Sequence, residues 1–165
     1  MLGDILNFTV EKSMAESLNI YQRINKVRET NAYIKKKKDV DGKYMVVTHD
    51  QVTAEIRPDL IKWGIVIQPV LLEHKTVQDT LMVSRGSSKV PIIRFESVWD
   101  VFFVNIDNPA DKTSVRVAAH ALDTGDKAPG KAVSYAVKTA ILKIFNLETG
   151  EEDEDRKEKD ASGDG

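Results

Sequence analysis

The chain has 165 residues, 41% of them hydrophobic and 30% charged, with a net charge of −2 and no cysteine. That length suits one domain with a proper core, and the composition is that of a globular protein rather than a disordered one. The missing cysteines exclude a disulfide framework and a thiolate zinc site, no apolar run approaches the ~20 residues of a bilayer span, and the opening MLGDILNFTV lacks a signal peptide's basic flank, so the expected compartment is the cytoplasm.

The small net charge hides an asymmetry. From Glu148 onward there are nine acidic and three basic residues, which leaves the preceding body at +4. A basic body with an acidic tail suits a nucleic-acid binder, and also suits an ordinary solvated surface.

In chain order, MAESLNIYQRINKVRET (14–30) places Ile20, Ile24 and Val27 on one helical stripe, with Ser13 as an N-cap. The run KKKKDVDGK (35–43) breaks that period and reads as a basic loop, and KYMVVT (43–48) is strand-like. Asp50 is the expected cap of a second helix carrying Val52, Ile56, Leu60 and Trp63 on one face. Pro58 is expected to kink it, and Gly64 to close it. Next come three strands, IVIQPVLLEHK (65–75), PIIRFESVWDVFFVNI (91–106) and SVRVAAHAL (114–122), separated by the turn-rich SRGSSK and DNPADKT. In the second strand Ile93, Phe95, Trp99, Val101 and Phe103 fall on one face, opposite Arg94, Glu96 and Asp100. In the third, Arg116 and His120 take the polar side. The short connections predict an antiparallel meander.

The following stretch, TGDKAPGKAVSYAVKTAILKIF (124–145), opens with G-x-x-x-x-G-K from Gly125 to Lys131, the start of a phosphate-binding P-loop. Three features reject an ATPase. Position 132 is Ala where magnesium needs Ser or Thr, no later strand can supply a second metal carboxylate, and the preceding strands read as antiparallel. The stretch reads instead as an amphipathic helix with Pro129 in its first turn. Val133, Val137, Ala140, Ile141 and Ile144 are expected to face the sheet, and Lys131, Tyr135, Lys138 and Leu142 to lie almost opposite. A Lys–Tyr–Lys stripe preceded by Lys127 suits an anionic backbone and a stackable base, though it is also what the wet face of any such helix looks like.

The segment GDKAPGKAVSYAVKTAILKIFNLETGEEDED (125–155) closely resembles the signature of the ERF family, the essential recombination function proteins of bacteriophages. The same order recurs there: Gly-Asp-Lys, Gly-Lys-Ala, Ser-Tyr-Ala, a Lys, an apolar helix, then Thr-Gly-Glu and acidic residues. NIYQRINKVRE, KYMVVTHDQVTAEIRPDLIKWGI and the strand block resemble the family less specifically, so the similarity covers most of residues 18–155. The resemblance implies a phage-encoded protein of the bacterial host cytoplasm that binds single-stranded DNA and anneals complementary strands without ATP, with no catalytic residue, cofactor or metal. It also implies assembly into rings or helical filaments. The expected fold is α+β, an antiparallel β-β-β-α core resembling that of the eukaryotic annealing proteins, with two N-terminal helices and a disordered acidic tail. The expected division is an annealing domain at 1–147 and the tail at 148–165; longer family members carry more chain beyond this point.

Annealing requires a protein that holds phosphates while leaving bases free to pair. The candidate DNA contacts are Lys127, Lys131 and Lys138 on the backbone, Tyr135 stacking or bonding beside them, Arg94 and Arg116 on the sheet's polar face, and Arg57 at the Pro58 position. Arg94 and Arg116 have a competing role in pairing with Glu96 and Asp100, and Arg57 in a helical salt bridge. The lysine run 35–38 is open between a second DNA contact and a solvated loop. Trp63 and Trp99 fall on apolar faces and read as core, and His49, His74 and His120 lack metal-site spacing. The tail has three readings: a solubilising end, a competitor for the basic groove, or a docking segment for a single-strand-binding protein. The rival to annealing is a non-catalytic protein-interaction module of a recombination or replication complex.

Overall fold

The computed structural model describes residues 18–31, 34, 38–40 and 44–149. Helix α1 (Ile20–Thr30) starts later than its periodicity suggests. Asn19 and Gln22 form a reciprocal capping box, Asn19 Oδ1 accepting from Gln22 N at 3.0 Å and Gln22 Oε1 from Asn19 N at 2.9 Å. This fixes the entry at residue 19; Ser13, the expected cap, lies outside the described residues. Ile20, Ile24 and Val27 are buried as their spacing predicts.

Strands β1 (Lys38–Val40) and β2 (Tyr44–Val46) pair antiparallel, so residues 38–40 of the expected basic loop are strand; 35–37 and 41–43 lie outside the described residues. Helix α2 (His49–Lys62) is capped by Thr48, whose hydroxyl accepts from Gln51 N at 3.2 Å. Asp50 lies instead in the first turn, where a negative charge faces the positive helix end. The helix runs on through Pro58 to Lys62. Gly64 follows at φ +62°, the left-handed conformation that ends the helix as expected.

Strands β3 (Ile65–Arg85), β4 (Ser88–Asn105) and β5 (Lys112–Asp123) form an antiparallel sheet in the order β3-β4-β5. The β3–β4 turn is Gly86-Ser87, with Gly86 at φ +63°, the hand that matches strand twist in a two-residue hairpin. Both strands outrun the sequence expectation. TVQDTLMVSR (76–85) carries no strong alternation, yet it pairs with β4 through an irregularity between Gln78 and Met82. Because β5 pairs with β4 only from Ile93 to Val104, the end of the hairpin from Met82 to Pro91 has no third strand among the described residues. Among the described residues, Pro69 and Pro91 both sit where a strand lacks a second neighbour, the setting in which a missing backbone donor is tolerated.

Helix α3 (Ala128–Ile144) packs on β5 and β4. Phe95, Val101 and Phe103 of β4 and Val117, Ala119 and Ala121 of β5 join it in one core, as the alternation predicts. The helix is rotated from the expected setting. Ala128, Ala132 and Ala136 face inward and are almost fully buried, together with the expected Ala140 and Ile141, while Val137 and Ile144 pack at the flank. Spacing by four aligns these methyls into a row that lets the helix approach the sheet closely. Phe145 closes the core edge-on against Phe103, with ring centroids 5.6 Å apart. The fold is thus α+β: a three-stranded antiparallel meander followed by a helix, with two helices before it among the described residues.

Among the described residues one charged side chain lies inside. Arg23 is fully buried, and its guanidinium donates to Leu18 O at 2.9 Å, Trp63 O at 3.0 Å, Gly64 O at 3.2 Å and Asp107 Oδ2 at 2.6 Å. It ties α1 to the end of α2 and to the β4–β5 connection.

Candidate nucleic-acid interface

The proposed cationic stripe lies on α3 with the alanine row beneath it. Lys127 is the N-cap residue of α3 and Lys131, Tyr135 and Lys138 follow along the same side, a line of about 16 Å at 1.5 Å per residue. Lys127 makes no side-chain capping bond and is exposed. Tyr135 is 50% exposed, and the Lys138 ammonium lies 5.7 Å from its ring centroid, within cation–π range. Lys138 is half-buried and donates to Val47 O at 3.3 Å. That contact leans the stripe toward the β2–α2 connection.

Lys131 is committed to a partner. Its ammonium bonds to Asp123 Oδ2 and to Leu122 O, the latter at 3.3 Å. Asp123 also accepts from Gly125 N at 2.9 Å. The Lys131 hydrogen bond, then its charge, hold the Asp123 carboxyl below the usual carboxylate range against burial, which raises it. The lysine of the G-x-x-x-x-G-K sequence therefore closes its own loop onto the end of β5. A P-loop lysine would be left pointing at a phosphate.

Two clefts flank the stripe. The larger, about 880 Å³, lies between the N-termini of α2 and α3 and is lined by Thr48, His49, Asp126, Lys127, Gly130 and Lys131 among others. Nothing in the sequence foretold it, because its two walls come from residues about 80 positions apart whose meeting depends on how α2 and α3 pack. The smaller, about 270 Å³, is lined by Tyr135, Lys138, Leu142, Lys143, Leu147 and Thr149.

Arg94 and Arg116 lie on the sheet face turned away from α3. Arg116 donates Nε and Nη2 to the two oxygens of Asp100, both at 2.8 Å, across the β4–β5 register. Its hydrogen bond is the first cause that lowers the Asp100 carboxyl, and the same contact raises the guanidinium. Arg94 Nε lies 2.9 Å from Glu96 Oε1. Both arginines thus make the carboxylate pairings that the sequence left open. Arg57 is exposed on α2. The seven cationic and aromatic candidates accordingly fall on different surfaces, with Lys127, Lys131, Tyr135 and Lys138 together on α3.

The remaining polar and aromatic groups have structural surroundings. Trp99 Nε1 donates to Ser97 Oγ at 2.8 Å, and Trp63 packs against the core with Lys62 5.3 Å from its ring centroid. His49 lies beside Asp50 and His74 stacks on Phe95. Among the described residues no three His, Asp or Glu side chains converge as a metal site would require, and no helix is long and apolar enough to cross a membrane.

The family model described as the ERF superfamily matches residues 20–164, which takes in α1, the whole sheet, the α3 stripe and the acidic stretch beyond it. The chain belongs to the ERF superfamily. None of the curated proteins and none of the solved structures compared matches it. Within the stretch this ERF chain shares with the family model, the G-D-K-A-P-G-K-A segment is the entry to α3, and its lysines stand at the start of the stripe.

Proposed function

We propose that this ERF chain binds single-stranded DNA and anneals complementary strands in phage homologous recombination, spending no ATP and performing no bond chemistry. The observation that carries the reading is a half-exposed Tyr135 flanked by lysines on α3, within a chain of the ERF superfamily. Lysines that neutralise phosphates and an aromatic ring that stacks a base are the two components of sequence-tolerant single-strand binding. Lys127, Lys131 and Lys138 hold the backbone in this reading, and Tyr135 supports a base. Arg94, Arg116 and Arg57 are secondary contacts, the first two only after exchanging a carboxylate for a phosphate.

Self-assembly into a ring or filament extends the track over many nucleotides. In support, the sheet face opposite α3 exposes Val66, Val70 and Leu122, and β3 and β5 each pair on one side only among the described residues. A strand edge with free donors and acceptors is a ready template for pairing with another copy.

The test mixes the protein with two complementary labelled oligonucleotides, with and without ATP and magnesium, and follows duplex formation. Acceleration without ATP is the expected result. A requirement for ATP contradicts the reading, and an absence of both acceleration and DNA binding favours a protein-interaction module using the exposed sheet face.

A further inference from the structure

The end of α3 is built to turn the chain back along the helix. Asn146 takes φ +52°, Leu147 N donates to Leu142 O at 3.0 Å and Asn146 N to Lys143 O at 3.3 Å, the two bonds of a Schellman motif. Leu147 is buried by this reversal, and Ile34 N donates to Glu148 O at 2.9 Å. The chain is therefore tied down as far as Glu148, and the next residue, Thr149, lines the same cleft as Tyr135, Lys138 and Lys143. Beyond it the sequence reads Gly150 and then Glu151, Glu152, Asp153, Glu154 and Asp155 without interruption.

From this placement we infer that the acidic segment 151–155 occupies the Tyr135–Lys138–Lys143 cleft when no DNA is bound, and that a DNA strand must displace it. This rests on the strand-binding reading above and adds its regulation. Charge and length both fit. The 16 residues after Thr149 reach at most ~55 Å at ~3.3–3.6 Å each, against about 25 Å for the whole of α3, so the carboxylates reach every lysine of the stripe. The first carboxylate stands two residues from the cleft wall, which keeps the competitor at an effective concentration of about 1 mM. A free peptide that bound the cleft at ~0.1 mM would then, once tethered, weaken strand binding about tenfold. Salt screens both contacts, so the effect fades as ionic strength rises.

The experiment keeps the chain at full length and neutralises the segment by Glu151→Gln, Glu152→Gln, Asp153→Asn, Glu154→Gln and Asp155→Asn. Binding of a short thymidylate oligomer is compared with the unaltered protein across a salt series. In parallel, a zero-length carbodiimide joins carboxylates to amines in the unaltered protein without DNA, and the linked peptides are sequenced by mass spectrometry. The expected results are about tenfold tighter binding at low salt, a gain that shrinks with salt, and a link from residues 151–155 to Lys138 or Lys143 that excess oligomer suppresses. Equal or weaker binding by the neutralised chain overturns the inference and leaves strand binding standing. A gain in affinity with no link to α3 also overturns it, because that gain is general repulsion. If neither protein binds the oligomer, the strand-binding reading fails and takes the inference with it.

Discussion

A Cβ added to Gly64 would sit 2.6 Å from Nη1 of Arg23 and 2.9 Å from Cγ1 of Ile106. The guanidinium fills that space because Gly64 leaves it open, and it is held there by the carbonyls of Leu18, Trp63 and Gly64 and by the Asp107 carboxylate. Gly64 also stands at φ +62°, a conformation that costs a non-glycine residue about 1–3 kcal/mol. Gly64→Ala therefore lowers stability by at least that amount, since the buried arginine cannot swing away. Arg23→Ala costs about 3 kcal/mol by stranding its acceptors. Urea unfolding midpoints measure both, and a Gly64→Ala protein as stable as the parent contradicts the packing.

The lysines of α3 are unequal. Lys127 forms no ion pair among the described residues, while Lys131 is paired with Asp123. Lys127→Ala and Lys138→Ala are each expected to lower the salt slope of single-strand binding by about 0.7. Lys131→Ala lowers it less, and Asp123→Asn, which releases Lys131, raises affinity. Fluorescence titration of a labelled oligonucleotide at several salt concentrations distinguishes these outcomes; four indistinguishable slopes make the stripe mere surface.

Tyr135 can be tested without disturbing the core because half of it is exposed. Tyr135→Ala is expected to lose about 1–3 kcal/mol of oligonucleotide affinity for each base it stacks, and Tyr135→Phe to retain most of it. Unchanged far-ultraviolet circular dichroism confirms that the helix survives the change. Equal binding by all three proteins removes Tyr135 from the interface.

Acid sensitivity follows from two carboxylates. Asp123 beside Lys131 and Asp100 beside Arg116 both titrate below the ordinary carboxylate range in the folded protein. A folded-state pKa below the unfolded one stabilises at pH above the unfolded value, near ~3.9, and the contribution disappears as pH falls through the folded value. Thermal midpoints should thus owe nothing to these groups' titration above about pH 5 and should fall below about pH 4. Asp123→Asn and Asp100→Asn are expected to flatten the acid limb. An unchanged limb in both variants shows that neither pair contributes.

The strand faces of β4 and β5, the Gly64 stop and the β-β-β-α order were legible because each is written locally: alternation, a left-handed glycine and short polar connections. The rotation of α3 was not. Valine and isoleucine outweigh alanine on any hydrophobic scale, so a reading by apolar weight turns Val133 and Val137 inward. Backbone proximity to the sheet selects the alanines at 128, 132 and 136 instead, beside the expected Ala140 and Ile141. Arg23 was equally hidden. Its acceptors lie as far as 84 residues away in sequence, and an arginine beside an apolar stripe looks like the stripe's boundary. In the candidate site, the shared side of Lys131, Tyr135 and Lys138 was legible from helical period, whereas the Asp123 partner needed the loop geometry that brings β5 to the start of α3.

The Arg23 clamp constrains the order in which the chain is assembled. One of its acceptors is Asp107, so a nascent polypeptide that has emerged only through the β3–β4 turn presents a charge with part of its cage unmade. Until synthesis passes the second strand of the hairpin, α1 lacks part of its anchorage, and chaperone or protease alike would meet it as loosely held chain.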